Sequence, residues 1–206
     1  MTGRHPGSEA AAAAKPVIVV TGTSGAGKGT IERSLLARMP ELELAVSATT
    51  RERRPGERDG REYWFLSEDE FERLVREGAF LEHVTHAWGA RAGTLLSEID
   101  RIQEEGRVPL LDLETEGALR VHDKVRGAVT IFVKAPSFAE LERRLRERAT
   151  ESAGEIGLRL DVARRQLDLA NRFDRVVVND ELERAVDEVE EIVRRALDGA
   201  GTMARP

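Results

Sequence analysis

The 206-residue chain contains no cysteine. That excludes a disulfide scaffold, a thiolate-bound zinc and a cysteine nucleophile. Its four histidines stand apart at positions 5, 83, 86 and 122, so a histidine metal cluster is not expected. No apolar run approaches the ~18 residues that a membrane span requires. Basic residues are outnumbered, 32 Lys and Arg against 38 Asp and Glu, for a net charge of −6. Sequence-independent binding to a nucleic-acid backbone needs the opposite balance. A local basic pocket is still compatible with that total. Residues 1–15 are rich in Gly, Ser and Ala but lack the basic start and branched apolar centre of a secretory signal. They read as a disordered tail, with nothing to direct the chain out of the cytoplasm, and 198–206 reads as a second tail. The remaining 16–197 is long enough to bury one sizeable core.

Against these absences stands one dense motif. Val17 to Thr21 is an apolar, β-branched run; it is followed by Gly22-Thr23-Ser24-Gly25-Ala26-Gly27-Lys28-Gly29-Thr30 and then by apolar residues at helical spacing. A strand, a glycine-rich turn and a helix start in series form a phosphate cradle. Backbone N–H groups turn toward the anion, the helix N-terminus favours negative charge, and the Lys28 ammonium reaches the terminal phosphates. The spacing is that of a P-loop, and residues 22–30 are expected to bind a nucleoside triphosphate. Gly29 occupies the place where this motif usually carries a Ser or Thr that holds magnesium. Thr30 follows one position late.

The rest of the pattern alternates strands and helices. Val108–Leu113, Ala128–Val133 and Arg175–Val178 join Val17–Thr21 as buried parallel strands. Leu42 to Thr50 and Tyr63 to Leu66 read as shorter strands. Capping boxes at Ser67-Glu-Asp-Glu70 and Ser137-Phe-Ala-Glu140 open helices to about Arg76 and Ala149. Further helices are predicted over Thr94–Glu105, from about 155 to Asn171, and over Glu181–Leu197. The fold class is α/β with a parallel sheet as its core, and the segment at about 45–93 reads as a small lobe laid over the P-loop side.

A second cluster narrows the chemistry. Ser47-Ala-Thr-Thr-Arg51-Glu-Arg-Arg54-Pro-Gly-Glu57-Arg-Asp-Gly60-Arg-Glu-Tyr63 sets three arginines in four positions beside a rigid turn and a phenol. Arginine forks match phosphate geometry bidentately. As composition alone, such a loop is more often solvated surface than site.

In order, the P-loop, this arginine block, Phe80-Leu-Glu82, Leu111-Asp112-Leu-Glu114-x-x-Gly117, Arg144-Leu-x-x-Arg148 and Val178-Asn179-Asp180 resemble the guanylate kinase family across about 16–197. The resemblance implies a three-layer parallel-sheet P-loop kinase fold, with the 45–93 lobe binding the acceptor and a lid near 149–156. It implies ATP and GMP as substrates, with Mg2+ accompanying the ATP. It implies an acceptor site made of Ser47, Arg51, Arg54, Glu57, Tyr63, Glu82, Thr94 and Asp112. Arg51, Arg54 and Tyr63 would hold the acceptor's phosphate; Ser47, Glu82, Thr94 and Asp112 would surround its base. Lys28, Arg51, Arg144, Arg148 and Arg159 would stabilise charge during transfer, and magnesium would be held through phosphates and water, with Thr30 and Asp112 as its candidate side chains. A carboxylate such as Glu82 suits guanine, which presents N1–H and N2–H2 donors side by side.

The chain departs from the family pattern at Gly29. It also has Arg91-Ala92 where a tyrosine pair is usual, Glu114 and Glu116 where Asp and Gln are common, and Ala149 in the lid. Arg91 or Trp88 is a candidate to replace the lost tyrosine. A kinase of the same fold acting on another phosphorylated acceptor, such as ribose 1,5-bisphosphate or a modified nucleotide, therefore stays open. So does a non-catalytic binding domain, against which the intact Lys28 and glycine framework argue.

Overall fold

The computed structural model of the protein describes residues 16–86, 89–148 and 153–202. It opens with β1 (Ile18–Gly22), α1 (Lys28–Arg38), β2 (Leu42–Leu44), β3 (Ala48–Thr49) and β4 (Trp64–Phe65). Next come α2 (Glu68–Arg76), β5 (Phe80–Thr85), β6 (Arg91–Leu95), α3 (Leu96–Glu104), β7 (Val108–Asp112) and α4 (Thr115–Lys124). The chain ends with β8 (Val129–Lys134), α5 (Phe138–Arg148), α6 (Ala153–Asp168), β9 (Arg175–Val178) and α7 (Leu182–Thr202).

Five strands form one parallel sheet in the order β2-β7-β1-β8-β9. Its period-2 alternation divides the core into two layers. Ile18, Val20, Leu110, Ile131 and Val133 face one way, onto Ile31 and Leu35 of α1 and Val186, Val189 and Val193 of α7. Val19, Leu111, Leu113 and Phe132 face the other, onto Ile99 and Ile102 of α3 and Ala118, Leu119 and Val121 of α4. Both faces of the sheet are therefore covered, which is why its strands read as continuous apolar runs. A smaller cluster of Leu141, Leu145, Ile156 and Leu160 joins α5 to α6.

The second sheet is mixed, in the order β4-β3-β6-β5. β3 runs parallel to β4 and antiparallel to β6, which pairs antiparallel with β5.

Several boundaries differ from the sequence expectation. The 42–50 stretch is two strands in two different sheets, broken where Ala45 N–H donates to Leu110 O. Thr94 belongs to β6 rather than to a helix, because its partner across the hairpin is Glu82; the helix starts two residues later, at Leu96. Residues 115–124 are helical although no helix was expected there, and α7 runs on past Leu197 to Thr202. Both serines cap their helices as expected: Ser67 Oγ accepts from Glu70 N–H at 3.2 Å and Ser137 Oγ from Glu140 N–H at 3.1 Å. Among the described residues, no helix is long and apolar enough to cross a membrane.

Candidate active site

The glycine-rich turn leaves β1 at the centre of the parallel sheet and enters α1. Gly27 is the N-cap of that helix at φ 92°, a left-handed conformation that disfavours side chains. No side chain caps the helix, so its first N–H groups are available to an anion. A cavity of about 240 Å³ opens over this turn, lined by Thr23, Ser24, Gly25, Gly27, Lys28, Gly29, Thr30, Arg33 and Asp112. Gly22 and Ala26 are buried beneath it and support it. Lys28 Nζ folds back to donate to Gly22 O at 3.2 Å, and Thr30 Oγ1 accepts from Arg33 Nη2 at 3.1 Å.

A second cavity of about 160 Å³ lies between the two sheets. Its walls include Ser47, Tyr63, Glu82, Val84, His86, Ala92 and Glu114, and it shares Lys28 and Asp112 with the first. The two cavities therefore meet at one cation and one carboxylate. Asp112 ends β7, beside Val20 of β1 in the parallel register. Although it opens onto both cavities, desolvation by the surrounding walls raises its pKa, with Lys28 pulling the other way. Glu32 lies against it from α1 and is buried; desolvation, then the Asp112 charge, pushes Glu32 up as well.

Glu82 is the most constrained group in the second cavity. It is 5% exposed, and its Oε1 accepts from Thr94 N–H at 3.0 Å and from Thr94 Oγ1–H at 3.1 Å. Its Oε2 faces Gly117 in the first turn of α4, where a Cβ would overlap it. Burial raises the Glu82 pKa, against which the two Thr94 donors and Arg120 pull down. Its carboxylate is thus fixed at the cavity wall and desolvated, with no ion-pair partner among the described residues, and it suits a ligand bringing its own paired donors.

The arginine loop is organised around Glu57. Arg51 Nη2 donates to Glu57 Oε1 at 2.8 Å, Arg54 N–H donates to Glu57 Oε2 at 2.8 Å, and the Arg51 guanidinium lies over the Tyr63 ring at 5.3 Å. Glu57, expected to touch the acceptor, spends both oxygens holding the loop. The Arg54 side chain is exposed and does not line the cavity, and Thr94 sits behind Glu82 rather than in the wall. Arg91 does not replace the lost tyrosine. Strand alternation turns it away from Ala92, onto the Phe71 ring at 4.6 Å and Glu72 at 2.6 Å. Trp88, the other candidate, lies outside the described residues.

Of the three arginines expected to act from the lid side, Arg144 is fixed near the turn. Its Nη2 donates to Asn179 O at 3.0 Å, and Asn179 Nδ2 donates in turn to Ala26 O at 2.7 Å. The Arg148 side chain and residues 149–152 lie outside what the structure describes; Arg159 is on α6. Sequence reasoning did not single out Val84 and His86, which line the second cavity two and four positions along β5 and its exit from Glu82. The period of two was the available signal.

The comparisons cover the same ground. A family model described as guanylate kinase matches residues 13–196. A guanylate kinase of Rubrobacter xylanophilus is 47% identical over 183 residues, 89% of this chain and 95% of that protein. Another, from Caldanaerobacter subterraneus, is 41% identical over 180 residues, 86% of this chain and 85% of its own. The crystal structure of guanylate kinase from Anaplasma phagocytophilum superposes with a TM-score of 0.70 at 28% identity, covering 89% of this chain and 87% of that one. A match of this extent spans both sheets and both cavities, and the chain belongs to the guanylate kinase family.

Proposed function

We infer that the protein transfers the γ-phosphoryl group of ATP to GMP, giving ADP and GDP. The observation that carries this is Glu82: a buried carboxylate with one oxygen held by Thr94, the other against Gly117, at the wall of a cavity that meets the P-loop at Lys28 and Asp112. Guanine N1–H and N2–H2 are adjacent donors that match a fixed carboxylate, whereas adenine offers an acceptor at N1. Ser47 and Asp112 complete the base end in this reading, and Arg51, Arg54 and Tyr63 hold the phosphate, Arg54 swinging in as the loop closes.

No catalytic base is needed, because the GMP phosphate is already an anionic nucleophile. Lys28 and the α1 N-terminus orient the triphosphate for in-line attack and take up charge on its β- and γ-oxygens. Arg144, carried by the Asn179 link to the turn, with Arg148 and Arg159 flanking the lid, adds cationic charge, and lid closure excludes water. We assign the acceptor lobe to about 45–93, the lid to about 149–156, and the activity to the cytoplasm. Magnesium fits the donor cavity, which offers the Asp112 carboxylate and the Thr30 hydroxyl, while no described cluster of three or more acidic or histidine groups forms an all-protein cage. One carboxylate with substrate phosphates is its ordinary setting, and there it neutralises phosphate charge.

A second reading keeps the donor and changes the acceptor. Ala92 lines the second cavity without a hydroxyl, so the phosphate end is one donor poorer than the family pattern. Coupled measurement of ADP release against GMP, IMP, AMP, CMP, UMP and ribose 1,5-bisphosphate separates the two. GMP is expected to lead; turnover of another acceptor with GMP inert overturns the guanine assignment.

A further inference from the structure

One charged group beside the donor cavity has no task in gripping either nucleotide. Glu32 lies in the first turns of α1, 5% exposed, and among the described residues its Oε1 accepts from no N–H or hydroxyl donor, the Asp112 carboxyl being its polar neighbour. A buried carboxylate oxygen left unpaired is costly unless something binds it. We propose that Glu32 is a direct ligand of the divalent cation that accompanies the donor triphosphate, standing in for the hydroxyl that Gly29 lacks.

Three placements support this. Glu32 is three residues after Gly29, so both lie on one face of α1. The point where a Cβ on Gly29 would stand is 4.0 Å from Glu32 Oε2, so the carboxylate is a contact neighbour of the place from which a serine hydroxyl at 29 would extend. On the other side Glu32 lies close enough to Asp112 for the two carboxyl groups to hydrogen-bond, and Asp112 ends the strand beside β1 and lines the donor cavity. Two carboxylates flanking a phosphate cradle are a hard-oxygen set suited to Mg2+ or Mn2+, with triphosphate oxygens and water completing the shell.

Thr30 is less suited to the task, because its hydroxyl already accepts from the Arg33 guanidinium, a cation that repels another. Nor does the backbone require glycine at 29. Its φ lies outside the left-handed region, and the nearest atom to a Cβ there is Arg33 Nη1 at 3.7 Å. The loop can therefore hold a serine, and in this chain the ligand comes from one turn further on. Lys28 and Arg33 are the cations facing Glu32, and Asp112 is the facing anion.

The proposal rests on the donor assignment of the P-loop but not on the identity of the acceptor. Its test is Mn2+ binding to the protein–ADP complex, followed by the electron paramagnetic resonance of free Mn2+, for the wild type, Glu32→Gln and Glu32→Gln/Gly29→Ser. Glu32→Gln is expected to weaken Mn2+ about 10-fold or more while metal-free ADP affinity and the urea midpoint hold or rise. Serine at 29 should restore much of the loss. Unchanged Mn2+ affinity in Glu32→Gln overturns the proposal, and so does a loss that serine fails to restore. ADP bound normally with GMP left unphosphorylated by the wild type would instead count against the acceptor reading alone.

Discussion

At the scale of single residues, the proposed selectivity rests on how Glu82 is held. Thr94 presents two donors to one oxygen and Gly117 leaves room for the other. Gly117→Ala sets a methyl group where Glu82 Oε2 now lies, so the carboxylate must move off its axis. The KM for GMP should rise at least several-fold, with the ATP KM close to wild type; an unaltered GMP KM would show that Gly117 serves only helix packing. The pH dependence follows from the direction of the Glu82 shift. Burial raises its pKa, so the ionised form that guanine requires gives way to the neutral acid at a higher pH than for an ordinary glutamate. Acidification should therefore raise the GMP KM from above the usual carboxylate range, and Glu82→Gln should flatten that rise. The same shift has a stability sign. A raised folded-state pKa contributes stability below the unfolded value and loses it as pH climbs through the folded one, so Glu82→Gln should be at least as stable as wild type at neutral pH.

At the scale of elements, the P-loop was the easiest part to see. A β-branched run, three spaced glycines and Lys28 are local, and β1, the turn and α1 stand where they were expected. Lys28→Ala should lower turnover by orders of magnitude with the fold retained, measured as GMP-dependent ADP release beside circular dichroism. The β5–β6 hairpin was less legible. Thr94 begins a stretch with good helical spacing, but its pairing with Glu82 is long-range, and local propensity does not report such pairings. The helix at 115–124 was hidden by its own Gly117, a poor helix former retained beside Glu82. Glu32 went unnoticed for a related reason: between Ile31 and Arg33 it has the look of a solvated position, and its burial beside Asp112 comes from tertiary packing that the local sequence does not report. Glu98 of α3 shows how an element positions the site at one remove. Its Oε1 accepts from Val46 N–H at 3.0 Å and from Arg101, fixing the chain beside Ser47. Burial alone would raise its pKa, yet the Arg101 and Val46 bonds lower it. Glu98→Ala should cost about 1.5–3 kcal/mol in denaturant unfolding, and a loss near zero would remove it from this role.

At the scale of the whole molecule, two sheets carry two cavities that touch at Lys28 and Asp112. Reading the base at one end matters only if it decides whether phosphoryl transfer proceeds at the other. In the proposed reading that link is exclusion of water when both nucleotides are bound, since an open site would pass phosphate to water. The central claim is that Glu82 makes the molecule a kinase for guanine nucleotides. Its most direct test is the ratio of kcat/KM for GMP to that for IMP, which lacks only the N2 amino group, in the wild type and in Glu82→Gln. The wild type should favour GMP strongly, and the ratio should collapse toward one in Glu82→Gln because GMP suffers more than IMP. A ratio unchanged by the substitution, or a wild type indifferent between the two, would contradict the account.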